Sequence, residues 1–447
     1  MKKLLFGREL LWSELPENFN RKKMENNQIP STTEINKKSC CNRCQAIMTK
    51  VPEMDCYCGR PCSYCRNCIQ MGKVTKCRTF YHLPESNQFN DTHLNLLKWE
   101  GELSTQQAEA SEKIVETIKK KETRLLWAVA GAGKTEMLFK GIEYALQNNQ
   151  RVCIASPRID VCLELAPRIQ AAFPQTPLVT LYGGMKEPYS YTQLVIATTH
   201  QLYRFREAFD VIIIDEVDAF PFHMDDSLQF AAKKARKKEA TTIYLSATPS
   251  QTMQKEVGKN RLLATILPAR YHRHALPVPK PKMCSDWRKK LLSQPNRTSF
   301  GKDFKKKIES EQKCLVFAPN IEWMLKFEKV LRKLYPKLRF ELVYAQDPHR
   351  KEKIMKMREN KLQCLLTTTI LERGVTFPNI DVLVIGSEDR IFTESALVQI
   401  AGRAGRSPKY PTGEVVFYHD GQSLAMKKAI KQIKRMNHLA KKSGLIE

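Results

Sequence analysis

The chain is 447 residues long, more than one hydrophobic core usually supports, so two large lobes and something smaller are expected. Seventy-four Lys and Arg against 47 Asp and Glu leave a formal charge of +27, a long-range attraction for a polyanion such as nucleic acid or an acidic membrane surface. The longest apolar runs, such as Val211–Ile214, fall far short of the ~18–20 residues that span a bilayer, and the basic start Met1–Gly7 has too short an apolar stretch for a secretory signal, so the expectation is a cytosolic chain that is not transmembrane.

In chain order, Met1–Ser39 is polar and without sustained periodicity, which predicts a short element followed by a flexible leader. Nine of the 14 cysteines then crowd into Cys40–Cys77, and the others are scattered through apolar segments, as reduced buried thiols would be. Two C-x2-C knuckles, Cys41/Cys44 and Cys65/Cys68, have the spacing of a tetrahedral zinc ribbon, in which each pair of thiolates approaches one ion from its own turn; a small zinc-binding module over 40–80 is expected. Cys56, Cys58 and Cys62 leave two readings open. They take over from one knuckle, since Cys62-x2-Cys65 is also a C-x2-C, or they bind a second ion, while an iron–sulfur cluster is the less common use of such pairs. Arg66 and Lys73 make the ribbon basic.

From Leu103 onward helical patterns alternate with short β-branched runs, the signature of a parallel α/β sheet. Leu125–Val129, Val152–Ala155, Leu194–Ala197, Val211–Ile214 and Thr242–Leu245 form one set of expected strands, within a first lobe over 100–275. Cys314–Ala318, Phe340–Val343, Cys364–Thr367, Val382–Ile385 and Val415–Tyr418 form a second set, within a lobe over 296–447. Between the sets, Pro268, Pro277, Pro279 and Pro281 forbid a continuous helix and predict an extended linker over 276–295.

The stretch "LLWAVAGAGKT" carries the first chemistry. Gly131 and Gly133 let the backbone turn tightly after a strand, so that the N–H groups of Ala130, Gly131, Ala132, Gly133, Lys134, Thr135 and Glu136 are expected to face phosphate oxygens. Lys134 adds a point charge, and the Thr135 hydroxyl is a Mg²⁺ ligand. Ala128 stands where the common pattern has glycine. "VIIIDEVD" supplies the second half: a buried strand that delivers Asp215 as a hard oxygen partner for Mg²⁺ and Glu216 to orient or deprotonate the attacking water.

With these, the sequence resembles superfamily 2 helicases and translocases over most of Leu103–Tyr418. "AVAGAGKT" is similar to motif I, "DEVD" to motif II, "SAT" at Ser246–Thr248 to motif III, "TTTILERGV" at Thr367–Val375 to motif V and "QIAGRAGR" at Gln399–Arg406 to motif VI. The resemblance implies two tandem RecA-like, doubly wound α/β lobes, with Gln107 of "LSTQQ" reading adenine and Gly374 at the nucleotide. Arg403 and Arg406, three apart on an expected helix face, include the finger that reaches the γ-phosphate. It also assigns strand contacts to Ser156–Arg158, Ala197–Leu202 and Thr367–Thr369, with the basic runs Lys233–Lys238, Lys302–Lys307 and Lys427–Lys442 as positive surface.

A four-cysteine module with "YCRNC" and "MGK", directly followed by a compact two-lobe motor, resembles the ComFA family of late-competence proteins in transformable Gram-positive bacteria. That resemblance implies an ATP-, Mg²⁺- and Zn²⁺-dependent motor on single-stranded DNA, placed at the inner face of the cell membrane with the DNA-uptake channel and other competence proteins as partners. A replication-restart helicase like PriA, an RNA helicase and a zinc-dependent nucleic-acid adaptor are the competing readings. PriA carries its cysteines between motor motifs, whereas here they precede the motor.

Overall fold

The computed structural model describes residues 2–20, 22–51, 56, 58–60, 62–89 and 95–446. Met1 and Arg21 of the expected leader lie outside the described residues. Contacts divide the chain into two units, Met1–Leu126 with Thr135–Thr265, and Ile266–Glu447 with the turn Trp127–Lys134.

The first unit begins with short strands: β1 (Glu9–Leu10), β2 (Gln28–Pro30), β3 (Thr32–Ile35), β4 (Lys38–Cys41), β5 (Thr49–Val51), β6 (Cys62–Tyr64) and β7 (Thr79–His82). They pair as a three-stranded sheet β1-β7-β2 and two hairpins, β3/β4 and β5/β6. The expected flexible leader is therefore folded. Leu5, Leu10, Leu15, Phe19, Met24 and Tyr81 close a small core of their own, and β7, far along the chain, provides the central strand. Single apolar residues anchored on a distant strand leave no local periodicity to read.

The first lobe is a seven-stranded sheet built from β8 (Thr123–Ala128), β9 (Val152–Ser156), β10 (Leu178–Leu181), β11 (Leu194–Thr198), β12 (Phe209–Ile214), β13 (Arg236–Ser246) and β14 (Leu263–Leu267), in the order β10-β11-β9-β12-β13-β8-β14. β12 runs parallel to β9 and β13 on either side, with Ile214 beside Ala155 and Tyr244. Strands covered on both faces need continuous apolar runs, which is why "VIII"-type segments are central. Here Val211–Ile214 is wholly buried.

The second lobe has β15 (Lys280–Met283), β16 (Cys314–Phe317), β17 (Phe340–Val343), β18 (Cys364–Thr367), β19 (Asp381–Ile385) and β20 (Val415–His419), all parallel in the order β15-β20-β19-β16-β18-β17. Several of its helices start on side-chain caps, such as Asn320 accepting from the Trp323 N–H at 2.8 Å and Ser423 accepting from Met426. The expected linker over 276–295 is a second correction: Lys280–Met283 is an edge strand and Trp287–Ser293 a helix whose Trp287 is buried in the lobe's core. A sheet edge tolerates Pro281 because its missing N–H costs no ladder bond, so the prolines that signal a connector also suit this strand.

Candidate ATP site and cysteine centre

β8 ends at Ala128 and a helical turn starts at Lys134, leaving Val129–Gly133 as the connecting turn. Gly131 and Gly133 have φ of +86° and +73°, the left-handed region that a side chain disfavours. A helix follows almost without a break, over Lys134–Met137 and Phe139–Gln147, so backbone N–H groups and the positive end of the helix gather at one turn. Thr135 is buried here.

Ala132 corrects the expectation that every N–H of this stretch faces phosphate. Its side chain is buried, and its N–H donates to the Val129 carbonyl at 3.1 Å. The reason is the turn itself. A four-residue turn over Val129–Ala132 with a positive φ at its third residue, Gly131, directs the N–H of its last residue back to the first carbonyl. Ala132 therefore shapes the loop that its neighbours Gly131 and Gly133 open.

On β12, Asp215 follows the last strand residue, and its N–H is held by the Ala155 carbonyl at 2.8 Å while its own Oδ1 accepts from the Glu216 N–H. Glu216 has φ of +54°, unusual for a residue with a side chain and typical of strained functional turns. Its carboxylate lies 4.0 Å from the Arg158 guanidinium of the proposed strand-contacting loop. Thr135 and Asp215 are both buried hard oxygen donors in the first unit, a set suited to Mg²⁺.

The last residue of DEVD was missed by sequence reasoning. Asp218 is buried and accepts from the Ser246 hydroxyl and the Thr248 hydroxyl, each at 2.6 Å, so the second motif and the SAT motif are tied through one carboxylate. Its repeat of the acidic residue at Asp215 was the available signal. Hydrogen bonds to charged acceptors contribute about 1.5–3 kcal/mol each. Asp218→Ala is therefore expected to lower the first unfolding transition by an amount of that order and to reduce hydrolysis, measured by thermal unfolding and by ATPase rate.

Gln107 uses its Oε1 to accept from the Ser104 N–H and hydroxyl, both at 2.9 Å, closing the cap of the helix Thr105–Lys119. This fixes the side chain expected to read adenine. On the second lobe the expected helix under motif VI stops at Ala401, Arg403 lies in the turn beyond it and Arg406 in the irregular chain that follows. Arg403 is buried and donates to the carbonyl of Glu372, at 3.0 Å from Nε and 2.7 Å from a terminal nitrogen, and to that of Val375. It thereby clasps the motif V loop around Gly374, which has φ of +75°. That bonding makes Arg403 a positioning residue. Arg406, more exposed, bonds the Gly402 carbonyl and the Thr376 hydroxyl.

Arg270 has no expected role in the sequence. It is buried beside Gly131, near 3.5 Å from where a Cβ there would sit, and its guanidinium donates to the carbonyls of Gly402 and Gly405. Burial, aided by the charge of Arg406, pushes its pKa down to about 9. A Cβ at Gly402 would come within 2.6 Å of the Ala130 methyl, so the glycine of motif VI is there for close approach. The motif V threonines are only partly available: Thr367 is buried and gives its hydroxyl to the Val343 carbonyl at 2.8 Å.

The basic runs are also partly spent. Lys234 pairs with Glu9 and donates to the carbonyls of Arg43 and Tyr203, and Lys237 pairs with Asp210, leaving Lys233 and Lys238 exposed. Lys307 bridges Asp381 and Glu414. Arg206, Lys233, Arg236, Lys238 and Arg261 line one cleft of the first unit.

Cys41, Cys44, Cys65 and Cys68 are buried, and their four Sγ atoms lie within 4.8 Å of one another. Four soft donors at this separation fit a tetrahedral zinc ion. The surrounding core is shared with the first lobe: Leu11, Met48, Val74 and Phe80 pack in one cluster with Leu202, Phe205, Leu228 and Ala231. Around that core sit ion pairs from which water is largely excluded. Arg151 meets Glu85 at 2.6 Å with neither side chain exposed, and Glu14 lies between Arg43 and Arg204. Burial alone would raise the Glu14 pKa, but the two guanidinium charges outweigh it and hold the carboxyl below its ordinary value.

Comparison with known proteins follows the same division. The family model "Competence protein ComFA N-terminal domain" matches residues 1–82, "Type III restriction enzyme, res subunit" matches 100–251 and "Helicase conserved C-terminal domain" matches 300–408. The chain is 45% identical to Competence protein ComFA of Bacillus subtilis (strain 168), over 90% of this chain and 86% of that protein. The chain belongs to the ComFA family of competence proteins. Against Competence protein ComFA of Streptococcus pneumoniae the identity is 38%, over 94% of both chains. Among solved structures, the DEAD-box helicase Mss116 bound to ssRNA and UDP-BeF superposes with a TM-score of 0.56 at 20% identity, covering 72% of this chain and 70% of that one. Its likeness lies in the fold, two RecA-like parallel-sheet lobes. Among the described residues no helix is long and apolar enough to cross a membrane.

Proposed function

We propose that the chain is an ATP-hydrolysing motor that moves single-stranded DNA during competence. The observation that carries this reading is the pairing of a glycine-turned phosphate loop with Asp215 and Glu216 at the ends of strands in one sheet, in a chain of the ComFA family. Ala130, Gly131, Gly133, Lys134, Thr135 and Glu136 bind the phosphates on the turn that Ala132 closes, Gln107 binds the adenine and Gly374 the nucleotide from the motif V loop. Thr135 and Asp215 would hold Mg²⁺, which neutralises phosphate charge when bound. Glu216 orients the attacking water, and Arg406 supplies the finger. Cys41, Cys44, Cys65 and Cys68 hold the zinc that shapes the N-terminal module. The partner DNA-uptake channel, the other competence proteins and a position at the inner membrane face belong to the same reading.

A side-by-side titration tests it: ATPase rate with poly-T, a mixed-sequence strand, duplex DNA and an equivalent RNA at two salt concentrations. Both single DNA strands are expected to stimulate hydrolysis alike and far more than duplex. Affinity should fall with salt at a logarithmic slope near about −0.7 per neutralised phosphate. A marked preference for RNA would replace this reading by an RNA helicase, one for forked duplexes by a restart helicase, and stimulation by none of them by an adaptor.

A further inference from the structure

Of the five cysteines between Cys40 and Cys77 that the ribbon does not use, four form a group of their own. The Sγ atoms of Cys56, Cys58, Cys62 and Cys77 all lie within 4.8 Å of one another, with Cys56 at 3.2 Å from Cys58 and 3.5 Å from Cys77. A disulfide would require about 2.05 Å. Tetrahedral zinc with Zn–S bonds of about 2.3 Å sets sulfur atoms about 3.8 Å apart, close to these separations and to the 3.3 and 3.8 Å found in the first cluster. We propose that the module holds a second structural zinc ion on Cys56, Cys58, Cys62 and Cys77.

Local geometry supports the assignment. Gly59, next to Cys58 and at φ of +62°, donates its N–H to the Cys56 carbonyl at 3.1 Å. Cys62 opens β6 and is buried, and Cys77 stands two residues before β7, beside the Thr75 hydroxyl at 3.3 Å. The ambiguous Cys62-x2-Cys65 is thereby split: Cys62 goes to the second group and Cys65 to the first. The two sets interleave along the chain, as 41/44, 56/58/62, 65/68 and 77, so two ions would cross-brace the module and neither set could be pulled away without the other.

Chemistry favours a metal over a casual gathering of thiols. The turn around Gly59 and Arg60 is exposed, and exposed cysteines without a task are uncommon. The described residues 58–60 are all exposed, and small modules are commonly held by metals. Four thiolates on Zn²⁺ leave a net charge of −2, and Arg60, Lys76 and Arg78 nearby in the chain oppose it.

The test is metal content of the full chain, purified reduced and without chelator, by elemental analysis, a readout that needs neither ATP nor nucleic acid and so stands apart from the motor reading. Two zinc ions per chain are expected, and Cys58→Ser with Cys77→Ser should retain one. Wild-type cobalt substitution provides a check independent of mutant folding: thiolate-to-cobalt charge transfer should grow in proportion through two equivalents. One zinc per wild-type chain, iron in place of zinc, or a Cys56-containing disulfide in the mass spectrum of the non-reduced protein would overturn the proposal.

Discussion

Replacing Lys134 by Ala is expected to lower ATP turnover on the order of 10²–10³-fold, the usual consequence of removing one preorganised charge from a developing anion. The fold should persist, because the half-buried Lys134 side chain belongs to neither lobe's apolar core. Glu216→Gln separates binding from chemistry. The amide preserves shape in the strained turn at φ of +54° but cannot take a proton, so nucleotide should still bind while hydrolysis falls to a similar extent. Binding of a fluorescent ATP analogue and steady-state phosphate release, measured on both variants, check this. Normal turnover in either one would remove the site from these residues.

What the sequence made legible follows from where periodicity is strong. The central strands β9, β11, β16 and β18 are buried end to end and β12 is buried from Val211 on, so each reads as an apolar run, and the expected limits fall within two residues of those observed. Two of the edge strands carry no such pattern. β10 has only two of its four residues buried and β15 has none, so both were passed over. Motif glycines announced the phosphate loop because their backbone angles restrict the residue type. The motif does not say which N–H each turn residue keeps for the loop, so the inward bond of Ala132 to Val129 emerges only from the folded backbone. Arg270 carries no local constraint either, and its importance arises only when Gly131, Gly402 and Gly405 are brought around it. Arg403 shows the opposite limit of motif reading. The motif offers Arg403 and Arg406 alike for the finger, and only the folded chain shows Arg403 buried with its donors on backbone carbonyls. The folded N-terminal segment was illegible for a related reason: Glu9, Glu14 and Glu85 look like solvated charges until Lys234, Arg43, Arg204 and Arg151 are placed beside them.

That shared boundary changes what losing the first zinc should do. Structural zinc contributes folding free energy on the order of 10 kcal/mol in finger peptides, so Cys65→Ser with Cys68→Ser should unfold the ribbon. In an isolated bead the damage would stop there. Here the ligand cysteines belong to the same buried cluster as Leu202, Phe205, Leu228 and Ala231 of the first lobe, and Arg43, fully buried between Cys41 and Cys44, is held by Glu14, which also pairs with Arg204. Unfolding the ribbon exposes one side of that core, takes Arg43 away from Glu14 and the Arg43 carbonyl away from Lys234, and a broken buried pair typically costs about 3–5 kcal/mol. The first lobe should therefore melt earlier, while the second lobe, with its core around Trp287, Phe300 and Tyr418, should keep its own transition. Calorimetry and limited proteolysis of the variant, and of wild type treated with a chelator, would follow each transition separately. An unchanged first-lobe transition alongside lost zinc would mean that the module and the lobe are energetically independent despite their common core.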